Sequence, residues 1–227
     1  MKMPLLDHRP ILLFDLETTG FSPQKDAIIE VGILLLDATL SPNKKHSFFV
    51  KTNRHIPPKI TELTGITQRM SDSGEPAKAA FELFRMYNTD QALWGAYNIQ
   101  FDIGFVQALF DRFEPGLKVH ANLIDVMAIY KDRFKAPHAL KHAIDTLGVL
   151  LPNTHRAIDD VLATAEVLKR LHAKQSVDPF VNAIGYHPKY GLKGPTYSHI
   201  TYLPNDDQIG RFESHIQHLE GGAHAKE

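Results

Sequence analysis

The sequence predicts an α/β fold in which helices flank a mixed sheet and a C-terminal extension is added. Short apolar runs of strand length lie before Lys51 and are separated by short turns, which is typical of antiparallel hairpins. Further along, an apolar run alternates with segments whose apolar residues recur at helical spacing, which indicates crossover connections. After Lys174 the composition shifts to aromatics, prolines and glycines. We therefore expect a main domain over 1–174 and a packed extension over 175–220.

The elements of the main domain follow from these patterns in chain order. Apolar runs of about five to ten residues predict the strands, and stripes with a period near 3.6 predict the helices. The predicted elements are strands at 10–15, 28–37 and 45–51, a helix near 75–89, a strand at 92–96, a helix after Asn98, a continuation of the α/β core over 121–131, and a helix over 137–147.

Two carboxylates lie at the end of the first predicted strand. Positions 14–20 read Phe-Asp-Leu-Glu-Thr-Thr-Gly. Because residues two apart share a face of a strand, Asp15 and Glu17 can point at the same place. Adjacent carboxylates without a neighbouring lysine or arginine repel each other, and a hard divalent cation such as Mg²⁺ or Mn²⁺ relieves that repulsion. An exposed acidic strand end before a turn explains the same two residues without a metal.

Other acidic residues stand at two predicted helix starts. Asn98 is a suitable N-cap, and Asp102 then lies in the first helical turn, where a carboxylate is favoured by ~0.3–1 kcal/mol. Helix stability alone also accounts for Asp102. Downstream, His155 and Asp160 open a helix, and Asp160 adjoins its apolar stripe, an unfavourable place for an unpartnered charge. A solvent-facing helix start explains His155 equally well.

Taken together, these segments resemble the motifs of a known family. The sequences Phe-Asp-Leu-Glu-Thr-Thr-Gly, Asn-x-x-Phe-Asp-x-x-Phe and His-Arg-Ala-x-Asp-Asp, in this order and spacing, are similar to the three motifs of the DEDD exonuclease superfamily. The chain is identified as a member of the histidine branch, the DnaQ-like 3′–5′ exonucleases, which includes the proofreading subunits of bacterial DNA polymerase III. A tyrosine-type member would carry Tyr at position 156, where this chain has Arg156. The likeness runs from about Ile11 to Leu171.

The resemblance implies a ribonuclease H-like, five-stranded mixed sheet with the catalytic residues at one mouth. Asp15, Glu17 and Asp160, with Asp102 through water, would hold two Mg²⁺ or Mn²⁺ ions, as in two-metal hydrolysis of phosphodiesters. His155 would be the general base, since an unperturbed imidazole, with its pKa near ~6.5, can accept a proton at neutral pH.

The resemblance also suggests contacts to the substrate. The backbone around Leu16 and the hydroxyl of Thr18 are candidates to hold the terminal 3′-OH, and the segment 56–67 is similar to the family's loop beside the terminal nucleotide, with Thr64 where many relatives carry His. Apolar and aromatic side chains could stack on or wedge the last bases at ~1–3 kcal/mol each, although core packing also explains the phenylalanines. The substrate-binding residues expected in this way are Leu16, Thr18, Leu63, Thr64, Ile66, Asn98, Phe101 and Phe105.

Composition restricts the remaining possibilities. The formal net charge of −1 provides no global basic field, so nucleic acid must be held locally. The absence of cysteine excludes disulfides and cysteine-ligated zinc, and none of the 13 histidines repeats at zinc-ligand spacing. The sequence shows no signal peptide and no apolar run of membrane length, so a cytoplasmic protein without membrane contact is expected.

The extension over 175–220 is too aromatic for a solvated linker. We expect a strand over 197–203 and a last helix, capped by Asn205 or Asp206, whose apolar stripe packs on the core. The stripe consists of Ile209, Phe212, Ile216 and Leu219. Docking of a DNA polymerase or of a second copy of the chain is the alternative use of this segment, and 221–227 are expected to fray.

The expected function is removal of nucleoside monophosphates from the 3′ ends of single-stranded DNA, in proofreading, repair or end trimming. Two alternatives remain. The same motifs would serve an exoribonuclease that trims RNA 3′ ends, and the chain could be a scaffold subunit bound to a polymerase. The presence of all five catalytic residues argues against an inactive scaffold.

Overall fold

The computed structural model describes residues 10–37, 39–151, 154–206 and 208–223, with side chains described as far as residue 219. The strands are β1 (Ile11–Thr18), β2 (Ile28–Leu36), β3 (Pro42–Lys51), β4 (Glu75–Pro76), β5 (Leu93–Ala96), β6 (Asn122–Asp125), β7 (Ala183–Tyr186) and β8 (Thr201–Pro204). The helices are α1 (Pro58–Thr64), α2 (Gln68–Asp72), α3 (Ala77–Tyr87), α4 (Ile99–Phe113), α5 (Val126–Arg133), α6 (Leu140–Leu147), α7 (Ala157–Lys174) and α8 (Arg211–Ala223).

A mixed sheet forms the centre of the molecule, with strand order β4-β3-β2-β1-β5-β6. Strands β1, β2 and β3 pair antiparallel, as their short connections allow, whereas β5 and β6 run parallel to β1 after helical crossovers. The predicted mixed sheet flanked by helices is confirmed. Each of the four predicted strands is present, and β6 lies in the segment predicted to continue the α/β core. Strand β4 makes the sheet six-stranded rather than five-stranded by pairing with the end of β3.

Strand β4 occupies the start of the segment predicted as a helix over 75–89. The residue before a proline is pushed towards extended conformations, so Glu75 is extended and α3 begins only at Ala77. Pro76 lacks an N–H, which an edge strand tolerates. The loop over 56–67 likewise contains structure that the sequence pattern did not reveal, because α1 and the N-cap of α2 lie in it.

Alternation along β1 divides the core into two layers. Ile11 and Leu13 face a cluster with α5, α6, α7 and α8, whereas Leu12 and Phe14 face a cluster with α3 and α4. Because side chains alternate along a strand, the odd-numbered row of β1 continues from Leu13 to the carboxylates at its end. That row faces α7.

The extension packs against the last strand of the main sheet. The N–H of Asn182 donates to the carbonyl oxygen of Leu123 at 2.8 Å, and the N–H of Leu123 donates to Asn182 Oδ1 at 2.9 Å. Strand β7, which the sequence analysis missed, pairs with β8 in a separate two-stranded parallel sheet. The strand expected over 197–203 is confined to β8, because the residues from Tyr197 to Ile200 form a turn closed by their own backbone hydrogen bond.

Helix α8 begins later than predicted, at Arg211 rather than after Asn205 or Asp206. Asp132 of α5 supplies the capping oxygen, since its Oδ1 accepts the N–H of Phe212 at 2.8 Å. Phe212 and Ile216 are buried as expected.

The predicted burial of the apolar stripe is wrong for Ile209 and Leu219, whose side chains are about half exposed. Ile209 precedes the helix, so the helical spacing does not apply to it. Helix α8 continues to Ala223, and residues 224–227 of the expected frayed end lie outside the described residues. None of the helices in the described ranges is both long and apolar enough to span a bilayer.

Candidate active site

Three carboxylates converge where β1 ends against the start of α7. Asp15 and Glu17 continue the row of β1 that faces α7, and Asp160 lies in the first turn of that helix. One oxygen atom from each of the three side chains lies within 4.8 Å of the other two. The structure thus brings together three of the four predicted metal ligands, from positions 145 residues apart in the chain.

The start of α7 is held directly against β2. Gly32 pairs with Asp15 across the sheet, and a Cβ atom at Gly32 would lie 2.5 Å from the carbonyl carbon of Ala157. Only glycine permits so close an approach of helix backbone to strand. The close contact sets the height of α7, and therefore of Asp160, above the sheet.

An ion pair between a buried glutamate and a partly exposed arginine strengthens the same junction. Glu30 lies opposite Glu17 on β2, and its carboxylate accepts two hydrogen bonds from the guanidinium of Arg156, at 2.8 and 3.2 Å. The N–H of Ala157 donates to Glu30 as well, at 3.1 Å. Glu30 therefore binds the N-terminus of α7, where a negative charge is favoured by the helix dipole.

Asp102 reaches the site from the opposite layer. Its buried carboxylate accepts the N–H of Leu16 at 3.1 Å, which joins the first turn of α4 to the strand between Asp15 and Glu17. The structure therefore places the fourth predicted ligand beside β1, although Asp102 is not part of the convergent trio.

The cap of α4 differs from the prediction. Asn98 precedes the helix as expected, but its backbone is left-handed, with φ of 69°, and its side chain forms no capping hydrogen bond. Asparagine tolerates this conformation. The hydrogen-bond acceptor at the start of α4 is instead Asp125, whose Oδ1 accepts the N–H of Asn98 at 3.2 Å. The same side chain is the N-cap of α5. Asp125 thereby positions the helix that carries Asp102.

The local electrostatics disfavour ionised carboxylates. Burial, followed by the charges of Asp160 and Glu30, raises the pKa of Asp15 to about 8. Burial and then the charges of Asp15, Asp160 and Glu30 raise the pKa of Glu17 to about 9, against a small opposing effect of Arg156. Burial and Asp15 also raise the pKa of Asp102, although the N–H of Leu16 lowers it. The site lacks sufficient positive charge to balance its carboxylates.

This donor set fits a divalent cation. Carboxylate oxygens are the ligands that Mg²⁺ and Mn²⁺ prefer, and a bound cation would keep Asp15, Glu17 and Asp160 ionised at neutral pH. Asp102 adds a further carboxylate at the edge of the group. The site is therefore a candidate metal centre.

His155 lies on the segment that leads into α7. Its side chain is exposed, and its backbone is left-handed, with φ of 53°. Few residues other than glycine adopt this conformation, and such positions occur often at functional sites. His155 is not among the side chains whose ligand atoms converge. In the sequence it lies five residues before Asp160.

Two predicted contacts to the 3′-OH are already engaged in the protein. The N–H of Leu16 donates to Asp102, and the hydroxyl of Thr18 donates to the carbonyl oxygen of Gly20 at 2.6 Å. Both side chains are buried. Thr18 keeps its lone pairs as acceptors, whereas Leu16 offers a substrate no free N–H.

The segment beside α1 divides between surface and core. Leu63 is 52 % exposed, but Ile66 is fully buried against Ile29, Ile56 and Ile60. Thr64 is also buried, donating its hydroxyl to the carbonyl oxygen of Ile60 and accepting the N–H of Ile66. The side chains of Ile66 and Thr64 thus maintain the local fold, and their contact with a nucleotide stays a prediction.

The aromatic residues near the site form a short row towards solvent. Phe105 is buried in the core, Phe101 is half-buried, and their ring centroids are 5.2 Å apart. Phe21 packs edge-on against Phe101 at 6.3 Å and is 81 % exposed. Phe21 was not among the residues predicted from the sequence to contact the substrate.

The sequence analysis also missed Glu30, Gly32 and Arg156 as parts of the site. A single glutamate within the apolar run of β2 was the available signal for Glu30, because a charge in a buried strand requires a partner. Nothing local in the sequence identifies Arg156 as that partner.

Comparison with known proteins assigns the family. The sequence profile of a family described as "Exonuclease" matches residues 12–168, which is more than half of the chain. The chain belongs to this exonuclease family. The family predicted from the three motifs is thereby confirmed.

The curated relatives are much longer proteins, and the chain spans only 11 to 14 % of the length of the three described below. The chain is 36 % identical over 165 residues to DNA polymerase III PolC-type from Clostridium perfringens, covering 70 % of this chain but 11 % of that protein. The protein of the same name from Thermotoga maritima is 32 % identical over 160 residues, with 70 % and 12 % covered. The PolC-type protein from Bacillus cereus is 31 % identical over 218 residues, with 89 % and 14 % covered.

Two solved structures of E. coli exonuclease I share the fold of this protein. E. coli exonuclease I in complex with a dA16 oligonucleotide superimposes with a TM-score of 0.64 at 19 % identity, covering 73 % of this chain and 41 % of that one. A zinc-bound complex of the same enzyme with single-stranded DNA gives a TM-score of 0.66 over 75 % of this chain and 42 % of that one, also at 19 % identity. These comparisons confirm the predicted ribonuclease H-like architecture.

Proposed function

We propose that the protein is a metal-dependent 3′–5′ exonuclease that removes nucleoside monophosphates from the 3′ ends of single-stranded DNA. The observation that carries the proposal is the convergence of Asp15, Glu17 and Asp160 in a chain whose residues 12–168 match the exonuclease family. Two Mg²⁺ or Mn²⁺ ions bound by such carboxylates would supply a nucleophilic water at neutral pH and neutralise charge on the phosphate.

The four carboxylates have different tasks in this proposal. Asp15, Glu17 and Asp160 are the ligands, since their oxygens already converge. Asp102 contributes through water and fixes the first turn of α4 to β1 by its hydrogen bond with Leu16. The hydrogen bonds that hold these elements exist before any substrate binds, so the ligands need little rearrangement.

His155 serves as the general base. One of its ring nitrogens accepts the proton of the attacking water, a step that contributes typically ~10²–10⁴-fold to rates. Its exposure and its position five residues before Asp160 support this role. The left-handed backbone at His155 sets the direction in which the side chain leaves the segment.

Exposed apolar side chains are proposed to engage the last bases. Phe21, supported from behind by Phe101, offers an aromatic surface beside β1, and Leu63 is exposed on α1. Base stacking on such side chains is tolerant of sequence. The complexes of exonuclease I with oligonucleotides support single-stranded DNA as the substrate. The PolC-type relatives support DNA, and a DNA polymerase as a partner.

Hydrolysis of end-labelled single strands tests the proposal. A 5′-labelled DNA strand and its RNA counterpart should be incubated side by side with Mg²⁺, Mn²⁺ or EDTA, with Asp15→Asn as the matched inactive control. We expect a ladder shortened from the 3′ end of DNA, nucleoside monophosphates as products, and no reaction in EDTA or with the variant. If RNA were shortened faster than DNA, RNA rather than DNA would be the preferred substrate. Absence of any product with either metal would refute the enzyme assignment.

A further inference from the structure

A basic loop of the extension, residues 187–193, lies outside the region matched by the exonuclease family. Between Asp178 and Asp206 the chain contains two lysines, Lys189 and Lys193, and no acidic residue. Both lysines belong to this loop. In a protein of net charge −1, this is a local concentration of positive charge.

The basic loop presents one aromatic ring between its cations. The N–H groups of Tyr190 and Gly191 both lie 3.0 Å from the carbonyl oxygen of His187, which closes a turn at the tip. The Nζ atoms of Lys189 and Lys193 lie 5.4 and 5.7 Å from the centroid of the Tyr190 ring. Tyr190 is nevertheless 61 % exposed. The two cations lie over the ring, and the His187 ring packs on it with a centroid distance of 5.0 Å, while the rest of the side chain stays open to solvent.

The residues that flank the basic loop on both sides contact Gln100 of α4. On its N-terminal side, the carbonyl oxygen of Gly185 accepts the side-chain Nε2 of Gln100 at 3.2 Å. On its C-terminal side, Gly194 approaches the carbonyl oxygen of Gln100 so closely that a Cβ atom there would be 3.4 Å away. Gln100 lies in the first turn of α4, two residues before Asp102. The loop is thus mounted on the turn that carries a candidate ligand.

A groove leads away from the base of the loop. Gly194 and Pro195 line it together with the exposed side of α4, and its volume is about 1290 Å³. Its basic lining residues are Lys51, Arg54, Lys78 and Arg112. Two acidic residues, Asp26 and Asp111, also line the groove. Asp111 pairs with Lys118, and among the basic residues Lys78 pairs with Glu82.

We propose that the basic loop and this groove bind the single strand upstream of its 3′ end, with a base stacked on Tyr190 and phosphates beside Lys189 and Lys193. The inference rests on the proposed function, because it assumes that a strand enters the carboxylate site. Alternating cations and an exposed ring match the alternation of phosphates and bases in a single strand. The anchorage on Gln100 joins the loop to the turn of α4 that carries Asp102.

Binding measured without hydrolysis tests the surface. An oligothymidylate of about 20 nucleotides and a trinucleotide should be titrated with the full-length chain in Ca²⁺ at several salt concentrations. The variants are Lys189→Glu/Lys193→Glu and Tyr190→Ala, with Tyr190→Phe as the conservative replacement. The control is Lys44→Glu/Lys45→Glu, which makes the same charge change at exposed positions of β3 that pair with Leu34 and Leu35, towards the other end of the sheet.

The double lysine variant should bind the long strand at least about ten-fold more weakly. The slope of the logarithm of its binding constant against the logarithm of the salt concentration should fall in magnitude by about 1.4, or ~0.7 for each lost phosphate contact. Tyr190→Ala should lose about five-fold or more, and Tyr190→Phe should bind like the wild type. Affinity for the trinucleotide and affinity of the control variant should change less than about two-fold.

Equal affinity of the double variant and the wild type for the long strand would overturn the proposal. So would an equal loss in the Lys44→Glu/Lys45→Glu control, since that result would indicate a general charge effect. Hydrolysis of the long strand by the wild type in Mg²⁺ is measured separately. If binding depends on the loop but no hydrolysis occurs, the proposed enzyme activity is contradicted and the binding surface is not. If hydrolysis occurs but binding does not depend on the loop, the binding surface is contradicted and the enzyme activity is not.

Discussion

Arg156 and Glu30 form a bidentate ion pair between residues 126 positions apart, with Arg156 Nη2 2.8 Å from Glu30 Oε1. Glu30 is 1 % exposed, whereas the arginine side chain is about one-third exposed. The pair joins β2 to the residue that precedes α7. It thereby holds the helix that carries Asp160 against β2, the strand that pairs with β1 and its carboxylates Asp15 and Glu17.

Removing the arginine alone should be costly. Arg156→Gln leaves the carboxylate of Glu30 buried with a single backbone donor. Losing one partner of a fully buried pair typically costs ~3–5 kcal/mol, and the exposure of the arginine places the expected loss at or below the lower end of that range. The free energy of unfolding in urea measures the loss. Arg85→Gln is the matched control, because Arg85 pairs with Glu114 at the surface and such pairs contribute ~0–1 kcal/mol. Equal losses in the two variants would show that the buried pair has no special importance.

Gly32 offers a test of how α7 is positioned. The added methyl group of Gly32→Ala would meet the backbone of Ala157 and Ile158 at 2.5–2.7 Å, so the helix must move outward at a cost of ~1–3 kcal/mol. Asp160 would move with it. We expect weaker Mn²⁺ binding by calorimetry and lower turnover of the folded variant.

Gly95→Ala provides the comparison for this prediction. Its Cβ atom would meet side chains of Leu13 and Ile124 at 2.5 and 2.9 Å, which can adjust, rather than the backbone of α7. It should lower stability to a similar degree while leaving Mn²⁺ affinity near that of the wild type. If both variants lost metal binding equally, general destabilisation rather than displacement of Asp160 would be the cause.

The raised pKa values predict how the metal-free protein responds to pH. The pKa of Asp15 rises from 3.8 to about 8 on folding, so between these values the unfolded chain is ionised while the folded protein keeps its proton. The unfolded state then binds fewer protons, and stability falls as pH rises through that interval. Glu17, with its pKa raised to about 9, acts in the same direction.

Asp15→Asn should therefore weaken the loss of stability that accompanies rising pH, and in EDTA near pH ~8 the variant should melt at a higher temperature than the wild type. The same substitution should abolish hydrolysis. Thermal melts from pH ~5 to ~9 measure the first effect, with the exposed Asp90→Asn as control. Near-native turnover of Asp15→Asn in saturating Mn²⁺ would refute its role as a ligand. An unchanged pH profile in EDTA would refute the electrostatic account alone.

His155→Asn separates a catalytic imidazole from a merely structural one. Asparagine tolerates the left-handed backbone at this position, which alanine adopts only under strain, and asparagine cannot act as a base near neutral pH. Turnover should fall ~10²–10⁴-fold with Mn²⁺ affinity retained. His120→Asn, an exposed histidine near the start of β6, should remain active. Retention of half the wild-type rate by His155→Asn, with chemistry rate-limiting, would require another base.

The extension should contribute strongly to stability through the buried residues of α8. Phe212 is 1 % exposed and lies in the core cluster that includes Phe180, so Phe212→Ala should cost ~3–5 kcal/mol. Leu219→Ala is the matched control on the same helix, since a half-exposed side chain contributes much less. Urea denaturation distinguishes the two. Similar small losses for both would mean that the extension does not complete the core.

The strands and the candidate ligands were predictable because their signals are local. The apolar run before Asp15 and the two-residue step to Glu17 are sufficient to place both carboxylates on one face. Asp102 and Asp160 occupy helix starts whose apolar stripes are readable in the sequence. The predicted fold is confirmed for these reasons, while the catalytic roles of the residues remain predictions.

Other features depend on contacts that no local pattern contains. Ile66 and Leu63 are similar in sequence terms, but only the packed structure shows that Ile66 is buried and Leu63 exposed. The N-cap of α8 comes from Asp132, about 80 residues upstream, so a search near Asn205 could not find it. Strand β7 was missed because four residues containing a glycine give a weak pattern.

The distribution of the carboxylates along the chain determines when the site can exist during protein synthesis. Asp15 and Glu17 leave the ribosome early, but Asp160 follows only after almost the whole α/β domain has been translated. A nascent chain that has not yet released α7 cannot assemble the three-carboxylate group. Domains generally fold as units as they emerge. A truncated or stalled translation product ending before Asp160 would thus carry the first two acidic residues without a complete metal centre.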